Sequence, residues 1–578
     1  MLRAWLLVVL IALAIHLGGY PLYDADEGRN GEVGREMAAS NDYVMPRLDG
    51  LPYLDKPIAY FAAEAAAMEV LGPTEVAARL PAYLCTLLTA ALLAWFARRI
   101  GADPLIAAIA YLSMPLTLAF SRTVIFDSML SLFIAGAIVA FYCACHPGGD
   151  GGEDAATGRG SSGVATIVAW AAMGMGVITK GPVAILIPLI IAVPYAISRK
   201  RARRLFSIAA LVVFGVVVAP WVWAISRAVP DFLHYVLVTE TMQRLATKAL
   251  KRTGPPWYFI PYLLGGAMPW SVVAIALWRR ARAGFRDNAT LYLLLWIAIP
   301  FVFFSLSQSK RPQYILPVMP AVALLVARLL GARENEISSS HADKTLNLEK
   351  AGAGRLWPGS TAFRIAGIVL VVLGIALLLA PWLAPAKAMH DDLMKSAAPT
   401  ALALGASALV AGLVTCFSRR RDLAVMALSL PVIVLPLAAN PLMVAIGVRR
   451  SAQSLAGQIR PHLHPSTEVV GIEAYTGSMS FYLRRPVTVV TPDAEEFTSN
   501  YLIRHYGVYA DDPTSTIRRL ELVERLVSDT ATPRVFLVRE RDRLHRALVE
   551  LHGGRLIATG AHFVAYESSN NGQPPRVR

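Results

Sequence analysis

Apolar residues run almost unbroken from the N-terminus to about residue 440, and many runs reach the roughly 20 residues that a helix needs to cross a bilayer. Short polar interruptions divide them into thirteen predicted spans. The first covers residues 4–20 and, lacking a small-residue cleavage site, reads as a retained span. The second covers about 81–97, and the third and fourth flank a turn from Ser121 to Ser128. The fifth and sixth flank Thr179-Lys180-Gly181-Pro182, and the seventh and eighth flank a larger loop at about 226–256. The ninth and tenth bracket Ser305 to Tyr314, the eleventh and twelfth a short loop near His390-Asp391-Asp392, and the thirteenth ends near Asn440.

Beyond Asn440 the pattern changes. Val469–Ile472, Val487–Val490 and Val535–Val538 are short β-type runs, and Thr516–Leu526 and Asp542–Leu551 have helical periodicity. The expected architecture is a polytopic α-helical membrane domain, 1–440, followed by a soluble α/β domain, 441–578.

Charge orients the spans. Arg98-Arg99, Arg199-Lys200-Arg201 with Arg203-Arg204, Arg279-Arg280 with Arg282, and Arg419-Arg420-Arg421 all fall on one side, as the positive-inside rule requires of the cytoplasmic face. The Gly- and Ser-rich connection 146–163 and the polar stretch 332–362 then lie inside, while the 21–80 loop and the tail lie outside. The composition agrees: 55% hydrophobic and 16% charged exclude a string of soluble domains. The net charge of +15 sits in these loop clusters, so it does not indicate a nucleic-acid partner. The four cysteines lie in or beside apolar runs and form no CxxC pattern.

The chemistry concentrates in the first outer loop. Asp24, Asp26, Glu27 and Arg29 stand just beyond the first span, and Asp55-Lys56-Pro57 follows about 30 residues later. Between them, Val33–Ala39 predicts a short amphipathic helix, and the alanine-rich run to Leu71, with Glu64 and Glu69, predicts an interfacial one. Single carboxylates there could simply solvate a loop, but clustered ones repel unless a cation, a proton or a substrate group compensates. Lys56, Arg122, Lys180, Arg244, Lys310 and Arg311 face the same side, against the positive-inside bias. An anionic ligand accounts for them, and solvation or snorkelling is the plain alternative. Asp127 is either a cavity residue or the N-cap of the fourth span. Asp55 and His234 are a candidate divalent-metal pair, the alternative being a hydrogen-bonded interfacial histidine. Trp257, Tyr258 and Trp270 fit an interfacial aromatic belt.

An ordered set of motifs resembles the GT-C fold membrane glycosyltransferases, specifically the lipid A 4-amino-4-deoxy-L-arabinose transferase branch, which is related to the protein O-mannosyltransferases. The motifs are Asp24–Arg29 with Glu32 and Arg35-Glu36-Met37; Tyr53–Ile58; Met175–Gly181; Pro230–Phe232 with His234-Tyr235; Gln243-Arg244; Pro256–Tyr258; and Ser309–Pro312 with Tyr314–Leu316. The resemblance runs from the N-terminus to about residue 320, and Asp55 stands where the family can show Glu. It implies a donor of aminoarabinose on undecaprenyl phosphate, a lipid A phosphate acceptor, and inverting transfer by a monomer at the periplasmic face of a bacterial inner membrane. No cofactor is required. It implies that Asp26 is the catalytic aspartate with Glu27 beside it. Lys56 and Arg244 would grip the polyprenyl phosphate, Arg29, Lys180, Lys310 and Arg311 are further phosphate candidates, and Asp55, Asp127 and Tyr314 would belong to the substrate site. Two rival readings are protein O-mannosyl transfer and a lipid-linked sugar flippase. A flippase would place ionisable groups near span midpoints, and here they gather at one face.

Overall fold

The computed structural model describes residues 1–147, 158–236, 254–339, 360–383 and 391–568. Arg244, most of the Gly- and Ser-rich connection, most of the 332–362 stretch and His390 lie outside them.

The thirteen expected apolar segments are present in order, and the chain is a multi-pass membrane protein. Among the described residues, nine are helices long and apolar enough to cross a bilayer, two are pairs bent at a break, and two, α1 (Leu2–Ala14) and Val183–Ser198, are shorter. The breaks fall in the third and eighth predicted spans. The third divides into α5 (Pro104–Leu112) and α6 (Pro115–Ser121), bent by 68°, because a proline excludes the helical conformation at Met114 before it. The eighth turns by 102° between Pro256–Gly266 and Trp270–Ala276, where Met268 precedes Pro269. Trp270 is fully buried there and donates to Ser113 Oγ (2.9 Å) at the other break, so it is a packing residue and not part of a belt. Trp257, by contrast, is exposed.

In the first outer loop, α2 spans Asp26–Ser40 and so begins at the acidic pair, well before Val33. Two carboxylates in the first turn suit the positive end of the helix dipole, and Asn41 in the left-handed conformation ends the helix. The hairpin of β1 (Arg47–Leu48) and β2 (Leu51–Pro52) turns on Asp49-Gly50, both at positive φ. The alanine-rich run forms the helix α3 (Ala59–Leu71), with Glu64 fully buried against Gly34 of α2. The span α4 (Glu75–Arg99) follows.

The tail folds into a six-stranded sheet in the order β5-β4-β3-β6-β8-β7. β3 (Glu468–Ile472), β4 (Thr488–Thr491) and β6 (Arg534–Arg539) are the three runs read from sequence. Thr516–Leu526 is only partly helical: β5 (Ile517–Arg519) occupies its start, paired parallel to β4, and a helix begins at Val523. β7 (Arg555–Thr559) and β8 (Phe563–Glu567) add an antiparallel edge.

The segment after β3 docks on the first loop. Gly477–Leu483 forms a helix whose Ser478 N–H donates to Asp24 (3.0 Å), so a carboxylate of the chain itself takes a place where α/β folds often hold a ligand anion. Gly28 and Gly477 permit this approach. A Cβ on Gly28 would lie 2.4 Å from Ser478 N, and one on Gly477 2.4 Å from Arg29 N.

Candidate active site

Asp26 is the first residue of α2, and two guanidiniums hold its carboxylate. Arg29, one turn along the helix, donates at 2.7 Å, and Arg311, from the loop between Asn288–Leu306 and the following span, donates at 3.1 Å. Burial alone would raise the Asp26 carboxyl; Arg29 and Arg311 outweigh it and hold it below the usual carboxylate range.

Asp26 lines a polar chamber of about 90 Å³ together with Lys56, Asp127, Lys180, Arg311 and Tyr314. Most of these come from predicted outer turns. Lys180 ends α8 (Gly158–Lys180), and Gly181 at positive φ (+91°) turns the chain sharply into α9 (Val183–Ser198). Lys180 pairs with Asp127 at 2.5 Å and lies 5.3 Å from the Tyr314 ring centre. Asp127 opens α7 (Asp127–Cys145) but makes no capping hydrogen bond, which settles its two readings in favour of the cavity. Lys56, Asp127, Lys180 and Tyr314 also line an adjoining cavity of about 440 Å³ that is mostly apolar, walled by Ile134, Leu186, Trp221 and Phe303. A charged mouth above an apolar slot suits a lipid with an anionic head.

Glu27 and Lys310, two expected site residues, do other work. Glu27 points away from the chamber. It is buried with Arg79 of α4, accepting at 3.0 and 3.1 Å, and also takes Tyr23 N–H and Val124 N–H. Neighbours on a helix diverge by about 100°, so the turn that puts Asp26 in the chamber leaves Glu27 out of it. Lys310 directs its ammonium to the carbonyls of Phe304, Ser305 and Ser307, at 3.4, 2.7 and 2.8 Å, and so caps the end of the preceding span. Asp55 lines both the chamber and the adjoining cavity and, buried, also accepts from Tyr235 Oη (2.8 Å), Asn500 N (2.9 Å), Tyr501 N (3.0 Å) and Ser499 Oγ (3.3 Å). His234 is exposed, since the helical turn that brings Tyr235 to Asp55 turns its neighbour away, so the expected metal pair is not assembled.

Sequence reasoning missed the residues that support the site. Arg79, fully buried, also donates to the carbonyls of Leu17, Tyr20 and Pro21, tying α4 to the end of the first span. Asp49 accepts from Val487 N–H (2.8 Å) and from Tyr475 Oη, clamping the hairpin to the α/β domain. The Asp49-Gly50 turn was a legible signal; the partners, more than 400 residues away, were not.

Comparison with known proteins gives a consistent set of likenesses. The family described as dolichyl-phosphate-mannose-protein mannosyltransferase matches residues 32–236. A protein of Edwardsiella ictaluri named undecaprenyl phosphate-alpha-4-amino-4-deoxy-L-arabinose arabinosyl transferase is 32% identical over 64% of this chain and 63% of its own length. One of the same name from Yersinia enterocolitica is 34% identical over 53% and 55%. The chain thus aligns with somewhat less than two thirds of these relatives. The crystal structure of ArnT from Cupriavidus metallidurans bound to undecaprenyl phosphate superposes with a TM-score of 0.81 over 99% of both chains, at 24% identity, which establishes the fold.

Proposed function

We propose that this chain, which belongs to the GT-C family containing these arabinosyl transferases, moves 4-amino-4-deoxy-L-arabinose from undecaprenyl phosphate to a phosphate of lipid A. The work is done at the periplasmic face of the inner membrane and gives resistance to polymyxin and other cationic peptides. The observation that carries the reading is Asp26 held between Arg29 and Arg311 at the head of a cavity with an apolar floor and a cationic mouth.

The polyprenyl chain lies in the apolar cavity, with its phosphate at Lys56 and Lys180. The sugar occupies the chamber, where Asp26 holds its ammonium group. An acceptor phosphate oxygen attacks the anomeric carbon as the bond to the polyprenyl phosphate breaks, inverting that centre. The leaving phosphate carries away the electron pair, and the lysines and arginines stabilise the charge it gains. No proton need be removed from an acceptor that is already an anion. Asp26 suits this chemistry, because a carboxylate held below its usual pKa by two guanidiniums is a weak base but a good partner for a cation. A serine or threonine acceptor would ask Asp26 to take a proton.

The test is expression in a polymyxin-sensitive Gram-negative strain that makes the donor but lacks its own transferase, followed by mass measurement of lipid A. The expected result is lipid A carrying aminoarabinose. Unmodified lipid A, with folded protein and donor supply verified, would replace this reading with protein glycosylation, toward which the match over 32–236 points.

A further inference from the structure

The parallel strands β3 and β4 are neighbours, and the segments leaving their carboxyl ends both come down on the first outer loop. The segment after β3 brings Ser478 to Asp24. The segment after β4 goes further, because its Thr498 and Asn500 line the polar chamber itself. Among the described residues, no other part of the α/β domain does so. Four consecutive residues there touch both acidic motifs of the first loop. Thr498 accepts from Arg29 Nη1 through its hydroxyl oxygen and through its carbonyl (3.2 Å), while Arg29 Nη2 holds Asp26 at 2.7 Å. Ser499 Oγ and the N–H groups of Asn500 and Tyr501 donate to Asp55.

The backbone is bent to make these contacts. Ala494 and Thr498 both stand in the left-handed region, at φ +61° and +52°. That region is disfavoured for any residue with a Cβ and most for a β-branched one, and glycine would enter it freely. Thr491, at the end of β4, holds the turn by accepting from Ala494 N–H (3.0 Å) and donating to Glu496 (2.7 Å). Phe497 is buried against Tyr475. A strained threonine whose hydroxyl meets an arginine of the chamber points to a use for that hydroxyl.

We propose that Thr498 is a positioning residue for sugar transfer, supplied to the membrane domain by the α/β domain. An arginine side chain has many rotamers, and a contact at one nitrogen leaves its plane free to turn. With one nitrogen on Asp26 and the other on Thr498, the Arg29 guanidinium is fixed at both ends. It then fixes the Asp26 carboxylate that faces the sugar, opposite the bond from Arg311 at 3.1 Å. Ser499, Asn500 and Tyr501 hold Asp55 in the same way, and Lys56 is its neighbour in the chain. One segment of the tail therefore sets the spacing between the two motifs of the chamber. The inference rests on the transfer reading above and gives the α/β domain a part in it.

The experiment uses the full chain in detergent and measures kcat with two pairs of substrates. One is the aminoarabinose donor with lipid A, the other polyprenyl-phosphate mannose with a serine-containing peptide. Thr498→Ala removes the hydroxyl, Thr498→Gly removes it and also relieves the left-handed strain, and Thr498→Ser keeps it. The alanine and glycine variants are expected to lose about tenfold or more in kcat, with undecaprenyl phosphate binding unchanged. The glycine variant should melt no lower than the parent, and the serine variant should turn over close to the parent rate. A role in packing alone does not give a loss of activity without a loss of stability, restored by serine. Parent-like kcat in the alanine and glycine variants, or a loss that serine does not restore, would overturn the inference. Transfer by the parent from the mannose donor alone would overturn the aminoarabinose reading, and the same variants compared in that reaction would still decide Thr498. No transfer with either pair by the folded parent would overturn both.

Discussion

The first outer loop presents two faces, and they use the same residue types to opposite ends. On the cavity face, Asp26, Lys56 and Arg311 line a chamber that is open to a ligand. On the docking face, Asp24, Glu27 and Asp49 are saturated by Ser478, Arg79 and Tyr475 with their neighbouring N–H groups, while Asp55, held by Tyr235, stands between the two and also lines the chamber. Carboxylates on the second face have their hydrogen-bonding capacity used up within the protein. Asp26 is half exposed on its side chain and is held by cations that can be shared with a substrate. Acidic character therefore does not distinguish function from scaffold here; saturation does.

The largest effect that separates the faces is on activity. Asp26→Asn is expected to lower transfer by about 10²–10⁴-fold with little change in thermal stability, measured on membranes supplied with donor and lipid A. Full activity of that variant would remove Asp26 from the chemistry. Glu27→Gln should do the reverse, since breaking a buried ion pair costs about 3–5 kcal/mol. The detergent-solubilised variant should melt earlier, while the fraction that stays folded keeps its turnover. Lys310→Gln should cost about 1.5–3 kcal/mol through its lost bonds to carbonyls, with undecaprenyl phosphate affinity unchanged. A large drop in that affinity would return Lys310 to the cavity face. Gly28→Ala should cost about 1–3 kcal/mol, because its Cβ meets the Ser478 backbone, and should speed proteolytic release of the α/β domain.

The smallest effect is a pH dependence confined to the docking face. Burial, then the Asp49 charge, pushes the Glu36 carboxyl up to about 7, and burial pushes Asp24 up to about 6. A carboxyl raised in the folded protein binds its proton more tightly there than in the unfolded chain. Its contribution is therefore fully present below the unfolded value and is lost as pH rises through the folded one. The seat of the α/β domain should loosen between about pH 4.5 and 7, by proteolysis or hydrogen exchange, and Glu36→Gln should flatten the profile. Asp26 has the opposite sign. Its lowered carboxyl contributes stability above the unfolded value near 3.8, and that is lost as pH falls through the folded one.

Much of this was legible along the chain. Hydropathy gave the number and order of the apolar segments, because a bilayer demands length and apolarity that few other environments do. The charge clusters gathered Asp26, Lys56, Asp127, Lys180, Arg311 and Tyr314 onto one side, and all six line the chamber. The resemblance named the family. Glycine and proline marked where the backbone turns, although the sharp bend before Trp270 was read as part of one span.

What tertiary structure alone decided is which polar group faces which. Asp26 and Glu27 are adjacent carboxylates in the first turn of α2, and only a helical rotation of about 100° separates a chamber-facing carboxylate from a buried one. His234 and Tyr235 divide in the same way, and Tyr235 takes Asp55. The partners that complete each choice, Arg79 for Glu27 and Ser478 for Asp24, lie 52 and 454 residues away. Periodicity reports the environment of a segment. The pairing of one side chain with another depends on geometry that the folded protein sets across the whole chain.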